Sequence, residues 1–152
     1  MKKFIPVILA ILLSACTSVE QTKRPPVALS PPEETAPEFF RMSPALHYYV
    51  DMSSILAEPE QKHIVHFDTV INLHKGGYLF PDPTVFVRSI RQSKVLNCQN
   101  HQLKQLKTNY YSEFWGAGQH TPAKKQREYI IKLRPGSSLY TLSEVICVNV
   151  MR

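Results

Sequence analysis

The sequence predicts an α+β domain: a small antiparallel sheet of about six strands with one C-terminal helix packed on it. Three observations lead there. Apolar and polar residues alternate with period two in several segments between residues 46 and 133. The breaks between these segments are short and marked by Gly, Pro or Asn, as in hairpin connections. The last apolar segment, Leu139 to Val150, repeats instead at helical spacing through Leu139, Leu142, Ile146 and Val150. Strands first and a helix last is the α+β order.

The elements follow in sequence. Leu46 to Asp51 reads as a first strand, followed by polar turn signals up to Pro59 and Glu60. His63 to His74 is the clearest strand, with Val65, Phe67, Ile71 and Leu73 on one face and His66, Asp68, Asn72 and His74 on the other. Gly76-Gly77 is expected to turn the chain into a short strand at Tyr78 to Phe80, stopped by Pro81-Asp82-Pro83 because proline cannot donate to a ladder. Val87 to Trp115 reads as a central hairpin turning at Gln99-Asn100. A two-residue loop there sets Leu96 opposite Leu103, Lys94 opposite Gln105 and Gln92 opposite Lys107. Gly116 to Lys125 is a loop, Arg127 to Leu133 a last strand, and Arg134-Pro135-Gly136 a turn. Thr141 and Glu144 have the spacing of a capping box for the helix.

The N-terminus is a leader rather than part of the fold. Lys2 and Lys3 precede a short apolar core, Phe4 to Leu13, which is too short to span a bilayer as a helix. Leu13-Ser14-Ala15-Cys16 resembles the lipobox of bacterial lipoproteins. That resemblance implies cleavage before Cys16, lipidation of its sulfur, and, with Thr17 rather than Asp next, the outer membrane. The organisation expected is a signal peptide over residues 1–15, a lipidated cysteine with a flexible Pro-rich tether over 16–43, and a folded domain over 44–152. The chain has 18 Lys and Arg against 12 Asp and Glu. The leader holds two of the basic residues and none of the acidic ones, so the remainder carries 16 against 12, a net +4. That mild excess suits acidic partners or anionic headgroups, and no nucleic-acid recognition motif accompanies it.

With Cys16 taken by lipid, Cys98 and Cys147 remain in an oxidising compartment, and an even remainder suggests one disulfide. Two free thiols or an intermolecular bridge are the alternatives. No catalytic constellation is visible: the serines sit in no G-x-S-x-G pattern, no carboxylates form a recognisable acid–base pair, and Asp68 is expected to be solvated. The chain is therefore read as a non-enzyme. No metal site is expected either. His63 and His66 lie three apart in a strand and point to opposite faces, His66 and His74 lie eight apart, and His101 and His120 have no sequence partner. The positive charges are the more informative group. Arg88, Arg91, Lys94, Lys104 and Lys107 all lie on the central hairpin, with Arg88, Lys94 and Lys107 expected on one face and Arg91 and Lys104 on the other. Lys124, Lys125 and Arg127 form a second cluster. Such charges discourage edge-to-edge aggregation, or they bind an acidic partner.

The stretches VHFDTVINLHKGGY, VRSIRQSKVLNCQNHQL, YYSEFWGAG, KKQ and SLYTLSEVIC, in this order, resemble the surface adhesin protein E family of outer-membrane lipoproteins. The resemblance covers most of Leu46 to Val148. It implies an antiparallel sheet, a C-terminal helix held by a Cys98–Cys147 disulfide, and a homodimer. It also implies adhesion to the host proteins vitronectin, laminin and plasminogen, with haem binding attributed to the family but no resident cofactor required. The vitronectin and laminin region of the family corresponds to Pro83 to Lys107. The family pattern places two basic residues directly after the proline, where this chain has Thr84 and Val85; Arg88, Arg91, Lys94 and Cys98 match. The function expected is that of a lipid-anchored outer-membrane adhesin, with a periplasm-facing structural or haem-binding lipoprotein as the alternative.

Overall fold

The computed structural model describes residues 24–43, 45–79 and 84–150. Cys16 and its lipobox, and the expected break at Pro81 to Pro83, lie outside the described residues. Eight strands and one helix are found among the described residues: β1 Val27–Ala28, β2 Phe39–Ser43, β3 Tyr48–Ala57, β4 Ile64–Tyr78, β5 Phe86–Asn97, β6 Gln102–Tyr111, β7 His120–Pro122, β8 Tyr129–Lys132 and α1 Ser138–Val150, with a single 3₁₀ turn at Phe114–Gly116. The sheet is antiparallel, in the order β2-β3-β4-β5-β6-β7. β1 pairs with Lys75 and Gly76 of β4, and β8 shares the outer edge of β6 with β7. The fold class is the expected one. The sheet also takes in residues 27–28 and 39–43 from the segment read as tether, where Pro31 and Phe39 are buried.

Both faces of the sheet are covered, for different reasons. On one face Val50, Val65, Phe67, Leu96 and Leu103 meet Leu142, Ile146 and Cys147 of α1. On the other, Tyr49 and Val70 pack with Phe39 beneath Trp115, whose ring lies 4.6 Å from that of Tyr49 and 4.9 Å from that of Phe39. Trp115 adopts φ 65°, a conformation its side chain disfavours, and its backbone N–H donates to Asn72 Oδ1 at 2.8 Å. Ser89 Oγ accepts from Gly116 N–H and donates to Glu113 O. The fully buried Asn72 and Ser89 thus hold the aromatic turn on the sheet.

Several boundaries differ from expectation for local reasons. β3 does not stop at Asp51: the register with β4 shifts between Asp51 and Leu56, and the strand continues to Ala57. Asp51 Oδ1 takes the N–H and hydroxyl of Ser53, and Ser54 Oγ donates to Asp51 O. Gly76-Gly77 does not turn the chain but lies inside β4. A Cβ on Gly76 would sit 2.5 Å from Val87 O and 2.7 Å from Leu29 Cδ1, so that position serves close backbone approach. The helix is capped by Ser137, whose Oγ accepts from Tyr140 N–H, and not by Thr141 and Glu144. The hairpin turn spans Cys98–His101 rather than two residues. Asn97 and Asn100 each accept a backbone N–H two residues on, and His101 sits at φ 52°.

Candidate functional site

Strands β5 and β6 carry the five cations singled out by the sequence. Leu96 faces Leu103 and Lys94 faces Gln105, as expected. Beyond Lys94 the register shifts: Ser93 pairs with Lys107 and Gln92 with Thr108, leaving Leu106 as the extra residue of a bulge. The bulge moves Lys107 off the Lys94 face and onto the face of Arg91 and Lys104. The five cations therefore do not form one surface.

Their surroundings divide them further. Lys94 is 5% exposed. Its ammonium donates to Gln92 Oε1 at 3.1 Å and Gln105 Oε1 at 3.0 Å, while Tyr129 OH donates to the same Gln105 oxygen at 2.6 Å. Burial lowers its pKa to about 8. Arg91 bridges two cross-strand carboxylates, Asp51 and Asp68, donating to Asp68 Oδ2 at 2.8 Å and also to Asp51 Oδ2. Burial alone would lower the Arg91 pKa; the hydrogen bonds and charges of Asp68 and Asp51 outweigh it and raise it. Asp68 is thus engaged rather than solvated. Arg88 donates to Ser112 O at 2.6 Å and lies over the Phe86 ring. Lys104 pairs with Glu128 at 2.7 Å on the surface. Lys107 is exposed and has no ion-pair partner among the described residues.

Cys98 and Cys147 form a disulfide with a Cα–Cα distance of 5.6 Å, joining the hairpin turn to α1. The histidine pairing that sequence separation hides is His47 with His74, from neighbouring chain segments, with ring centroids 4.5 Å apart. His47 also sits 3.2 Å from Tyr49 OH. Burial, then His74 and Arg41, lower the His47 pKa. Among the described residues no three His, Cys, Asp or Glu side chains converge as a metal site, and no helix is long and apolar enough to cross a membrane.

The accessible surface offers two strand edges. Between β2 and α1 runs an apolar groove of about 410 Å³ lined by Phe40, Met42, Met52, Leu142 and Val145. At the opposite edge, residues 124–132 are all exposed, including Tyr129, Ile130 and Ile131. Sequence reasoning marked Lys124, Lys125 and Arg127 as a cluster. It did not foresee Gln126, which accepts from Thr108 N–H through Oε1 and donates to Thr108 O through Nε2. Its amide imitates a strand residue in the gap between β7 and β8 and fixes the cationic loop against β6.

Together these features define a small disulfide-pinned α+β domain that presents cations and open strand edges to its surroundings. The family model for surface-adhesin protein E matches residues 40–148, and the chain belongs to that family. It is 39% identical over 150 residues to surface-adhesin protein E of Haemophilus influenzae strain Rd, covering 98% of this chain and 94% of the relative. The same identity and coverage hold for the protein of strain NTHi 3655. A solved structure of Haemophilus influenzae protein E superposes with a TM-score of 0.73 at 40% identity, over 82% of this chain and 95% of that one. A crystal structure of protein E from non-typeable Haemophilus influenzae gives 0.76 at 40% identity, over 84% and 86%.

Proposed function

We propose that the protein is a surface adhesin without catalytic activity, anchored in the outer membrane through lipid on Cys16, that binds host vitronectin, laminin and plasminogen. The observation that carries this reading is the 39% identity, along nearly the whole chain, to proteins named surface-adhesin protein E. The matching solved folds support the same reading. Homodimerisation belongs to it as well, on the family resemblance.

The region expected to meet vitronectin and laminin, Pro83 to Lys107, falls mainly on β5 and β6. Within it, Lys107 is exposed and has no ion-pair partner among the described residues, Lys104 is reachable at the cost of a surface pair, and Arg88 is half-buried. Exposed pairs contribute little to stability, so the Lys104 pair exchanges readily for an acidic partner. Lys94 and Arg91 support the hairpin instead of reaching a ligand. Val85, at one of the two positions where the family pattern is basic, is buried.

The test is binding of the purified chain to immobilised vitronectin and laminin across a salt series. Affinity should fall as salt rises, and Lys104→Glu with Lys107→Glu should weaken it about tenfold or more. Absence of binding to both proteins would reject the reading. Protease treatment of whole cells checks orientation: a domain that survives while the cells are intact faces the periplasm and is no adhesin.

A further inference from the structure

The edge formed by β8 combines three properties that rarely occur together on a solvated strand. The first is an unpaired main chain. Leu133 N–H donates to His101 O, and β8 continues this register through Ile131 with Leu103 and Tyr129 with Gln105. Antiparallel ladders alternate, so Ile130 and Lys132 turn their N–H and C=O groups away from β6. No further strand covers them among the described residues. The second property is apolar exposure on both faces of that edge. Ile130 is 62% exposed on one face, and Tyr129 and Ile131 are 45% and 42% exposed on the other. Native edges are ordinarily blunted by short length, charge or proline, and exposed isoleucines on an open edge invite pairing.

The third property is charge. Residues 124–134 contain Lys124, Lys125, Arg127, Lys132 and Arg134 against the single acid Glu128. Glu128 is itself paired with Lys104. None of the five cations has an ion-pair partner among the described residues. The Gln126 amide, bound to both backbone groups of Thr108, holds Lys124, Lys125 and Arg127 alongside the edge.

We infer that β8 is a docking edge for an extended acidic segment of a partner protein, which adds as a strand against Ile130 and Lys132. Its carboxylates meet the cations of residues 124–134, and its apolar side chains, at alternate positions, meet Tyr129 and Ile131 on one face and Ile130 on the other. Main-chain bonds supply affinity in this mode and the flanking side chains supply selectivity. A sulfated glycan would use the charges but leave the edge and the isoleucines idle, so the apolar edge favours a peptide. The inference deepens the adhesin reading by naming a second contact surface, a strand edge that flanks the β6 part of the Pro83 to Lys107 region.

The probe is a dodecapeptide of alternating Glu and Val, labelled for fluorescence polarisation and titrated with the full-length chain in detergent across a salt series. An alternating Lys and Val peptide is the control. Ile130→Pro removes an outward N–H without touching the β6 ladder and should lower affinity for the acidic peptide about tenfold, with circular dichroism unchanged. Lys124→Glu, Lys125→Glu and Arg127→Glu together should abolish the salt dependence along with most of the binding. No binding of the acidic peptide to the wild-type chain overturns the inference, as does binding that both variants leave unchanged. So does a heparin fragment that competes through the cations while Ile130→Pro has no effect, since this makes the edge irrelevant. A wild-type dimer that Ile130→Pro converts to monomer in sedimentation also overturns it, because a second copy then owns the edge. Laminin and vitronectin are measured in parallel. Binding to them without binding to the peptide sinks the docking edge and leaves the adhesin reading standing; the reverse pattern does the opposite.

Discussion

Lys94 Nζ lies 3.0 Å from Gln105 Oε1 across the β5–β6 pair, buried, with amide oxygens and no carboxylate as its partners among the described residues. The folded state therefore holds the Lys94 proton less tightly than the unfolded chain, where a lysine titrates near about 10.4. Between about pH 8 and about 10.4 the unfolded state binds more protons, so this group makes stability rise with pH across that window. Its cost is fully present below pH 8 and is roughly 3 kcal/mol by the size of the shift. Burial raises the Tyr48 phenol, which turns stability downward once unfolded tyrosines ionise near about pH 10, so the rise is clearest from 8 to 10. Lys94→Met should stabilise the protein by about 1–3 kcal/mol at pH 7 and flatten the rise. Urea titrations at pH 7, 8, 9 and 10 measure both effects; a less stable variant, or one with an unchanged slope, refutes the account.

Arg91 predicts the opposite sign. It neutralises Asp51 and Asp68, which are direct cross-strand partners on β3 and β4. Arg91→Met leaves two partly buried carboxylates facing each other and should cost about 3–5 kcal/mol. Adding Asp51→Asn and Asp68→Asn to that variant removes the repulsion and should restore much of the loss. Equal stability of the single and triple variants in thermal unfolding would show that the cost is lost packing rather than charge.

The contrast between these two cations marks what was legible in the sequence. Period-two runs of Val, Ile, Leu and Phe identify β4 and β5, helical spacing identifies α1, and cysteine counting leaves Cys98 and Cys147 as partners. Strand parity correctly sets Arg88 and Lys94 on one face. It could not set Lys107, because the Leu106 bulge reverses parity after Lys104. Nor could it tell Arg91 from Lys94, because their fates depend on residues from other strands. Asp51 lies 40 positions from Arg91, and Tyr129 reaches the Lys94 site only because β8 docks on β6. His47 and His74 meet for the same kind of reason. A turn signal such as Gly76-Gly77 is ambiguous in itself, since glycine serves close approach as well as turning.

That ambiguity gives a direct test. The Cβ of Gly76→Ala would press on Val87 O, a backbone atom of the neighbouring strand, and on Leu29 beside β1. Neither strand can yield without losing ladder bonds, so the substitution should destabilise by about 1–3 kcal/mol. Gly77→Ala meets only ordinary contact, at 3.7 Å from Pro26 Cα, and should be milder. Comparable thermal stability of the two variants would return Gly76 to an ordinary strand position.

The disulfide should govern α1 more than the sheet. Cys98 and Cys147 are 49 positions apart, and cross-linking a loop of that length constrains the unfolded chain by about 4 kcal/mol in the entropy model. The sheet is held by ladders that do not need the bridge, whereas α1 rests on three buried apolar side chains, Leu142, Ile146 and Cys147, with Leu139, Tyr140 and Val150 partly buried beside them. Cys98→Ala with Cys147→Ala should lower stability by about 2–4 kcal/mol. Amide exchange should speed first in α1, while the β4 and β5 amides keep their protection relative to the global value. If exchange instead rises uniformly, the helix and sheet unfold as one cooperative unit, and the bridge acts on the whole domain rather than on the attachment of its C-terminal helix.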